Sequence, residues 1–202
     1  MDIKLEKELI QRAKNNTDAF AELYKEYYDR IFGYVLKRTA DIIITQDITS
    51  EVFIKALENI KYFHWKGISF SNWLYQIANH EIINGHRKAK QSLILFEELK
   101  HVPLELEKSL EAETIEAEEQ LKQHQQFLAI HKSIANLPVK YQEVIVLRFF
   151  EKKQVKEIGE ILGKREGTIR SLIHRGLKKL KEILEEDRIF AASLSTKEES
   201  DV

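Results

Sequence analysis

The chain has 202 residues, 43% of them hydrophobic, and its 32 Lys and Arg almost balance 33 Asp and Glu, giving a formal net charge of −1. It contains no Cys, two Pro and seven Gly, a composition that excludes disulfides and Cys-ligated zinc and favours helix throughout. No run of about 18 apolar residues occurs and the N-terminus alternates charge, so we expect a cytoplasmic protein without membrane insertion.

The first predicted block covers residues 1–90 and contains three helices. Phe20, Leu23, Ile31 and Val35 recur at helical spacing, a second helix fits 45–60, and a third fits 71–87. Gly85 lies inside the third helix, and because Gly destabilises a helix relative to Ala we expect the helix to end or bend there. The loop "KYFHWKGISF" joins the last two helices, and its aromatic residues fit either a core or a base-contact role.

The middle of the chain, residues 91–126, reads as an acidic linker. It has nine Glu against three Lys, a net of −6, and it includes Pro103. The second block covers residues 127–187. Pro138 marks a helix start, the following "YQEVIVLRFF" reads as a buried helix, and "VKEIGEIL" is a short helix that Gly163 ends. We expect residues 188–202 to be a frayed tail.

The segment 164–181 concentrates positive charge, with seven Lys or Arg against one Glu, a net of +6. Placed at 100° per residue, Ile169, Leu172 and Ile173 lie on one face and Arg170 and Arg175 on the other. The alternative interpretation is an ordinary solvated helix face. Such a face normally mixes charges for i,i+4 pairs, whereas no acid occurs between Glu166 and Glu182.

The apolar face of this helix is predicted to pack on the preceding short helix through Val155, Ile158 and Leu162, with Gly159 allowing close approach of the two helices. Two helices joined by a tight Gly-containing turn form a helix-turn-helix, which presents its second helix to the DNA major groove. Arg side chains grip guanine bidentately, and Ser and His donate to bases or phosphates. The pattern therefore predicts a DNA reader.

Two separate regions resemble the sigma-70 family of bacterial RNA polymerase sigma factors, in its small extracytoplasmic-function (ECF) group. Residues 137–184, "LPVKYQEVIVLRFFEKKQVKEIGEILGKREGTIRSLIHRGLKKLKEIL", resemble region four. The segments "AFAELYKEYYDRIFGYVL", "QDITSEVFIKAL" and "FSNWLYQIA" resemble region two. The resemblance implies an all-α fold of two small helical domains, with no catalytic chemistry and no cofactor. It also implies three partners, which are the polymerase core, promoter DNA and an anti-sigma factor.

The resemblance implies three sets of site residues. Region four reads the upstream (minus-thirty-five) promoter element, a role that falls on Lys164, Arg165, Thr168, Arg170, Ser171, His174, Arg175 and Lys178. Region two binds the clamp of the polymerase largest subunit, through Asp47, Ser50, Glu51, Ile54 and Leu57. Region two also recognises and opens the downstream (minus-ten) element, through Lys66, Gly67, Ser69, Phe70, Asn79, His80, Asn84, Arg87 and Lys88.

Several positions depart from the family pattern. Asn79 and His80 stand where a basic residue and Asn are common, so the downstream sequence preference does not transfer. Lys164 and Arg165 stand where an apolar residue and a Ser-like N-cap are common.

Two other function classes remain as alternatives: a repressor or activator that never contacts polymerase, and a helical adaptor that does not bind DNA. An enzyme fits least, because no metal constellation or nucleotide-binding Gly loop occurs.

Overall fold

A computed structural model describes residues 3–65, 69–95 and 130–198, and for residues 3, 86–95 and 187–198 it describes the backbone alone. The first block contains α1 (Ile3–Ala13), α2 (Thr17–Thr39), α3 (Ile42–Asn59) and α4 (Phe70–Leu95), and a short 3-10 turn, Ile60–Tyr62, extends α3. The second contains α5 (Val139–Ile145), α6 (Val155–Leu162) and α7 (Glu166–Glu198), preceded by helical residues 130–135. No strand occurs in the described ranges, as the sequence predicted.

Side-chain caps fix where α2 and α3 of the first block begin. Asn16 Oδ1 accepts from the Asp18 and Ala19 amides at the start of α2, and Asp41 Oδ1 accepts from the Ile44 amide at 2.9 Å at the start of α3. Each such cap stabilises a helix by about 1 kcal/mol. Between the two helices Ala40 takes the left-handed conformation, with φ of 50°, and its amide donates to the Leu36 carbonyl. α2 and α3 therefore form an antiparallel pair joined by a very short turn.

The core of the first block lies between α2, α3 and α4. Leu23, Ile31 and Val35 are fully buried, as the helical spacing predicted, and they meet Val52 from α3 and Leu74 from α4. α1 packs on α2, where the buried Tyr27 hydroxyl donates to Glu6 at 2.5 Å. Burial, together with that hydrogen bond, raises the pKa of Tyr27.

The second block is built around α7, which packs against both α5 and α6. α5 starts after Pro138 and continues as a π-helical turn, Val146–Phe150. α6 begins with a capping box, in which the Gln154 amide donates to Glu157 at 2.8 Å. It ends at Gly163, whose φ of 64° lies in the left-handed region. Both predicted boundaries, at Pro138 and Gly163, are therefore confirmed.

The two blocks also pack against each other. α4 contacts α6, and α2 contacts the π-helical turn. The buried apolar residues of both blocks form one continuous cluster. The domains predicted as separate by sequence therefore share a contact surface, which α6 and the turn before it provide.

Two predicted helix ends differ from the structure. α4 does not end at Gly85 but runs on to Leu95, and a Cβ added at position 85 would meet Ile48 Cδ1 at an ordinary 3.6 Å. α7 continues past position 187 to Glu198, where a frayed tail was predicted. Around Gly85 the helix formers Arg87, Lys88 and Ala89 outweigh a single Gly, and after position 187 the sequence contains no Gly or Pro that would end the helix.

Candidate functional site

The exposed face of α7 carries most of the predicted upstream readers. Ile169 and Leu172 point into the core, which turns the opposite side of the helix to solvent. The exposed positions are Arg165, Thr168, Arg170, Ser171, His174, Arg175 and Lys178. Arg170 pairs with Glu166 at 2.9 Å, and Arg175 Nε donates to the Ser171 carbonyl at 3.3 Å. These surface contacts are weak and exchange readily for phosphate or base partners.

The turn before α7 shows the role of two residues. Lys164 departs from the family pattern, and Gly159 has a different role from the one that the sequence predicted. Lys164 is half-buried and its Nζ lies 2.9 Å from the nearly buried carboxylate of Glu143 on α5. Lys164 therefore ties the turn to α5 and is less free for DNA than its neighbours. Gly159 was expected to allow helix–helix approach, but a Cβ there would lie 2.7 Å from the Lys164 carbonyl. The constraint comes from the turn backbone, so that reason was wrong.

One residue that packs the reader helix was missed by the sequence reasoning. Gly176 is buried against α5, where an added Cβ would lie 3.2 Å from Ile145 Cγ1 and 3.3 Å from Tyr141 Cβ. α7 thus rests on α5 as well as on α6. The helical spacing that places Ile169 and Leu172 on the apolar face also predicts Leu177 there, but Leu177 is 42% exposed. The signal in the sequence that could have indicated this contact was the small residue Gly176, which comes one position before Leu177.

The predicted polymerase-binding residues share one exposed face of α3. Val52, Phe53 and Ala56 are buried, and this leaves the opposite side of the helix to solvent. The side turned outward includes Asp47, Ser50, Glu51, Ile54 and Leu57, all exposed. Ile54 is 51% and Leu57 40% exposed. An apolar pair surrounded by acidic and polar groups has the composition of a protein docking site.

A cavity of about 350 Å³ opens between the end of α3 and the middle of α4. It is lined by Lys55, Asn59, Tyr62, Phe63, Trp73, Ile77, His80 and Glu81. At its rim, Lys55 Nζ lies 2.8 Å from Glu81 and 3.3 Å from Glu51. The hydrogen bond to Glu81 holds the pKa of Lys55 above its ordinary value. The cavity therefore combines aromatic walls with a charged, hydrogen-bonding rim.

The aromatic loop before α4 divides between core and surface. Phe63 is buried and packs on Trp73, with ring centroids 4.9 Å apart, whereas Tyr62 is 77% exposed. Trp65 is half-buried, with Lys7 Nζ 5.0 Å from its ring. Trp73 and Ile77, whose aromatic and aliphatic side chains predict core positions, are half-buried against the core and also line the cavity. The question left open by the sequence therefore has a different answer for each ring.

The predicted downstream readers do not all reach the surface. Phe70 is fully buried against Tyr27 and Phe63, which makes it a core residue. Asn79 is 6% exposed, and its Oδ1 accepts from Arg38 Nη1 at 2.7 Å. Two further candidates are reachable, since His80 is exposed and Asn84 half-buried.

The remaining downstream candidates have other settings. Ser69 bonds to Ser71 and to the Asn72 amide near the start of α4. Lys66 and Gly67 lie outside the described residues, as do the side chains of Arg87 and Lys88.

Arg38 is a buried charge that sequence reasoning missed. It is fully buried, and its Nη1 donates to Tyr34 Oη at 2.9 Å and to Asn79. It lies one turn after Val35, on a side of α2 that the apolar pattern marked as core. Its position explains why Asn79 faces inward.

No group of three or more metal-ligating side chains occurs in the described part of the chain, and no helix there is long and apolar enough to cross a membrane. Family models place the same two regions as the sequence motifs did. The model "Sigma-70 region 2" matches residues 23–92, and "Sigma-70, region 4" matches residues 127–180.

Individual relatives extend this likeness over nearly the whole chain. The ECF RNA polymerase sigma factor SigW of Bacillus subtilis is 32% identical over 91% of this chain and 98% of its own length. The chain belongs to the ECF group of sigma-70 family RNA polymerase sigma factors. The RNA polymerase sigma factor YlaC of Bacillus subtilis is 30% identical over 85% of this sigma factor and 98% of its own length.

A solved structure has the same fold. It is the co-crystal structure of the sigma factor RpoE with the anti-sigma factor NepR from Bartonella quintana, with a TM-score of 0.64 at 16% identity. It covers 82% of this sigma factor and 96% of that chain. The predicted family and the all-α, two-domain fold are thus confirmed, and region two corresponds to the first block and region four to the second.

Proposed function

We propose that this sigma factor directs promoter-specific initiation with two separate surfaces in its first block and one in its second. α7 reads the upstream element, α3 docks on the clamp of the polymerase largest subunit, and α4 with the loop before it opens the downstream element. The observation that carries the proposal is the unbroken exposed basic face of α7, held outward by buried Ile169 and Leu172.

The upstream contacts divide into two classes by position on α7. The N-terminal end of a recognition helix reaches base edges, so Arg170, Ser171, His174 and Arg175 are proposed to read sequence. Lys178 and the lysines beyond it are proposed to meet phosphates. About five phosphate contacts would give a slope of log affinity against log salt near −4.5, since each contributes about −0.9.

The cavity between α3 and α4 supports the melting role. Extruding a base costs a few kcal/mol, and stacking on an aromatic ring returns roughly 1–3 kcal/mol. The exposed ring of Tyr62 and the half-buried Trp73 supply stacking surfaces, and His80 and Asn59 supply hydrogen bonds at the same cavity. His80, rather than buried Asn79, is the proposed base-selecting residue.

The remaining properties follow from the proposed role. The protein acts in the cytoplasm, where polymerase and promoter DNA are found, and it uses no cofactor and carries no enzymatic activity. The solved relative in complex with NepR supports an anti-sigma factor as a further partner. The exposed α3 face of the present sigma factor is a surface that such a partner would need to cover in order to block binding of polymerase.

The test is a reconstitution with purified chain, polymerase core and promoter DNA. Expected results are a stable complex with core, transcription from a cognate promoter, and reactive unpaired bases at the downstream element. A repressor or activator would bind DNA without core, and a helical adaptor would show no salt-dependent DNA binding. Either of those outcomes would overturn the proposal.

A further inference from the structure

The turn between α6 and α7, residues 163–165, is held to two different helices. Its backbone is held to α6, since the Lys164 amide donates to the Gly159 carbonyl at 2.9 Å. Its side chain reaches α5, where Lys164 Nζ lies 2.9 Å from a carboxylate oxygen of Glu143. The Glu143 side chain is only 4% exposed and the Lys164 side chain 35%. Lys164 therefore ties the helix-turn-helix, α6 with α7, to α5.

A second contact between α7 and α5 lies further along the reader helix. Gly176 is buried, and a Cβ added there would lie 3.2 Å from Ile145 Cγ1 and 3.3 Å from Tyr141 Cβ. Glu143 comes between these two residues in α5, so one helix holds α7 both before its first turn and in its middle. The positions between the two contacts include the proposed base readers Arg170, Ser171, His174 and Arg175.

Two contacts with one helix fix the tilt of α7 on α5 more firmly than a single contact does. Arg170 lies six residues before Gly176, which is about 9 Å along the helix at 1.5 Å per residue. A rotation of about 10° around the Gly176 contact would move Arg170 by roughly 1.6 Å. Functional side chains need placement to within about 0.5 Å. A tilt of this size would therefore misplace contacts to base edges.

The same geometry bears on whether Lys164 contacts DNA directly, as the sequence predicted. Moving its ammonium group to a phosphate would take a counter-ion away from the nearly buried carboxylate of Glu143. Removing one partner of a buried ion pair is strongly destabilising, whereas a contact between exposed charges in water contributes little. The balance favours a Lys164 that stays on Glu143 while DNA is bound.

We propose that Glu143 is a positioning residue for the upstream promoter element, and that Lys164 acts on base reading through Glu143 without contacting DNA. The pair holds α7 at the tilt in which its readers reach base edges. The inference rests on the proposed reading of the upstream element by α7. It replaces the direct DNA contact that the sequence predicted for Lys164.

The test measures two properties of the holoenzyme formed from the full chain and polymerase core. The probe is a promoter duplex that the wild-type holoenzyme selects from a randomised library. The competitor is the same duplex with its upstream element scrambled. The ratio of the two affinities measures discrimination, and the slope of log affinity against log salt counts the neutralised phosphates.

Lys164→Met should lower discrimination about tenfold, because the readers are displaced. It should leave the salt slope unchanged, because no phosphate contact is lost. The matched control is Lys178→Met, which removes a lysine proposed to meet a phosphate. This control should make the slope shallower by about 0.9 and leave discrimination unchanged. The same change of about 0.9 in Lys164→Met would reveal a direct phosphate contact and overturn the inference.

A double variant separates positioning from simple loss of stability, because Lys164→Met alone leaves the buried carboxylate without its partner. Glu143→Gln combined with Lys164→Met removes both charges. If the two residues act as a pair, the double variant should lose no more discrimination than either single variant. Losses that multiply to about a hundredfold would overturn the inference. Lower melting temperatures with unchanged discrimination would also overturn it, because the pair would then only stabilise the fold.

Failure of this inference is distinguishable from failure of the proposed function. A wild-type holoenzyme that binds the two duplexes equally would overturn the proposed role of α7, and the positioning role with it. A wild-type holoenzyme that discriminates, together with Lys164→Met and Glu143→Gln variants that discriminate equally well, would overturn only the positioning role.

Discussion

The two blocks of this sigma factor present their candidate sites in different ways. On α7 the proposed readers are surface side chains on one exposed basic face, and the core side of the helix is apolar. On α4 the same kind of candidate is divided, because Phe70 and Asn79 are buried whereas His80 is exposed beside a cavity. A helix packed on two sides keeps few positions for function, so its site depends on a cavity rather than on a face.

The difference teaches which kind of site a pattern can predict. A helix that contacts duplex DNA needs positive charge on one periodic face, and this pattern can be recognised in the sequence of that helix alone. A site that accepts an unstacked base needs a cavity, and cavities form between elements far apart in the chain. The following variants separate the two blocks, from the largest expected effect to the smallest.

Gly159→Ala should disrupt the placement of α7 without removing any of the proposed reader side chains. The new Cβ would lie 2.7 Å from the Lys164 carbonyl, a backbone atom that cannot move cheaply. We expect a loss of about 3 kcal/mol in the free energy of unfolding, measured by chemical denaturation, with upstream DNA binding reduced in step. Gly167→Ala is the control, because nothing lies within 4 Å of its new Cβ, and it should be neutral or slightly stabilising.

Ile54→Ala should weaken binding to polymerase core by about 2 kcal/mol, since a half-exposed apolar anchor ringed by polar groups is typical of a binding hot spot. Stability should change little. The matched control is Leu5→Ala on α1, a residue 59% exposed and outside the proposed face. Equal losses from the two variants, measured by titrating labelled core, would argue against the α3 face.

Arg175→Ala should weaken promoter binding about tenfold, or roughly 1.4 kcal/mol, while core binding stays unchanged. Within the described part of the chain the exposed guanidinium bonds to the Ser171 carbonyl of its own helix, so its removal should not disturb the fold. Fluorescence anisotropy with upstream DNA at fixed salt measures the change. Loss of DNA and core binding together would mean that the fold, not the contact, was damaged.

His80→Ala should have the smallest effect, about 1 kcal/mol on opening of the downstream element. It removes the hydrogen bond that His80, at the cavity, is proposed to make to an unstacked base. Reactivity of unpaired thymines to permanganate measures opening. Asn79→Ala makes the contrast sharper. It would remove the Asn79 acceptor of buried Arg38 and leave it the Tyr34 hydroxyl, so it should lower stability rather than alter base preference.

Much of this protein was set by sequence alone. The helical periodicity of Leu23, Ile31 and Val35, the breakers at Pro138 and Gly163, and the one-signed face of α7 are local signals, and each matched the structure. They depend on spacing within a single helix, and spacing is fully contained in the order of residues. The family followed from the same local motifs.

Only the tertiary structure decided which side chains contact one another across different helices. Contacts between residues distant in the chain decide whether Asn79 faces DNA or Arg38 and why Gly159 and Gly176 have no room for a side chain. The same holds for the hydrogen bond that the Tyr75 hydroxyl donates to the carboxylate of Glu151. In the sequence, a polar residue of α4 looks the same whether its hydrogen-bond partner is a side chain of the neighbouring helix or water. The physical reason is that burial and hydrogen-bond satisfaction are properties of packed neighbours, which no single helix carries by itself.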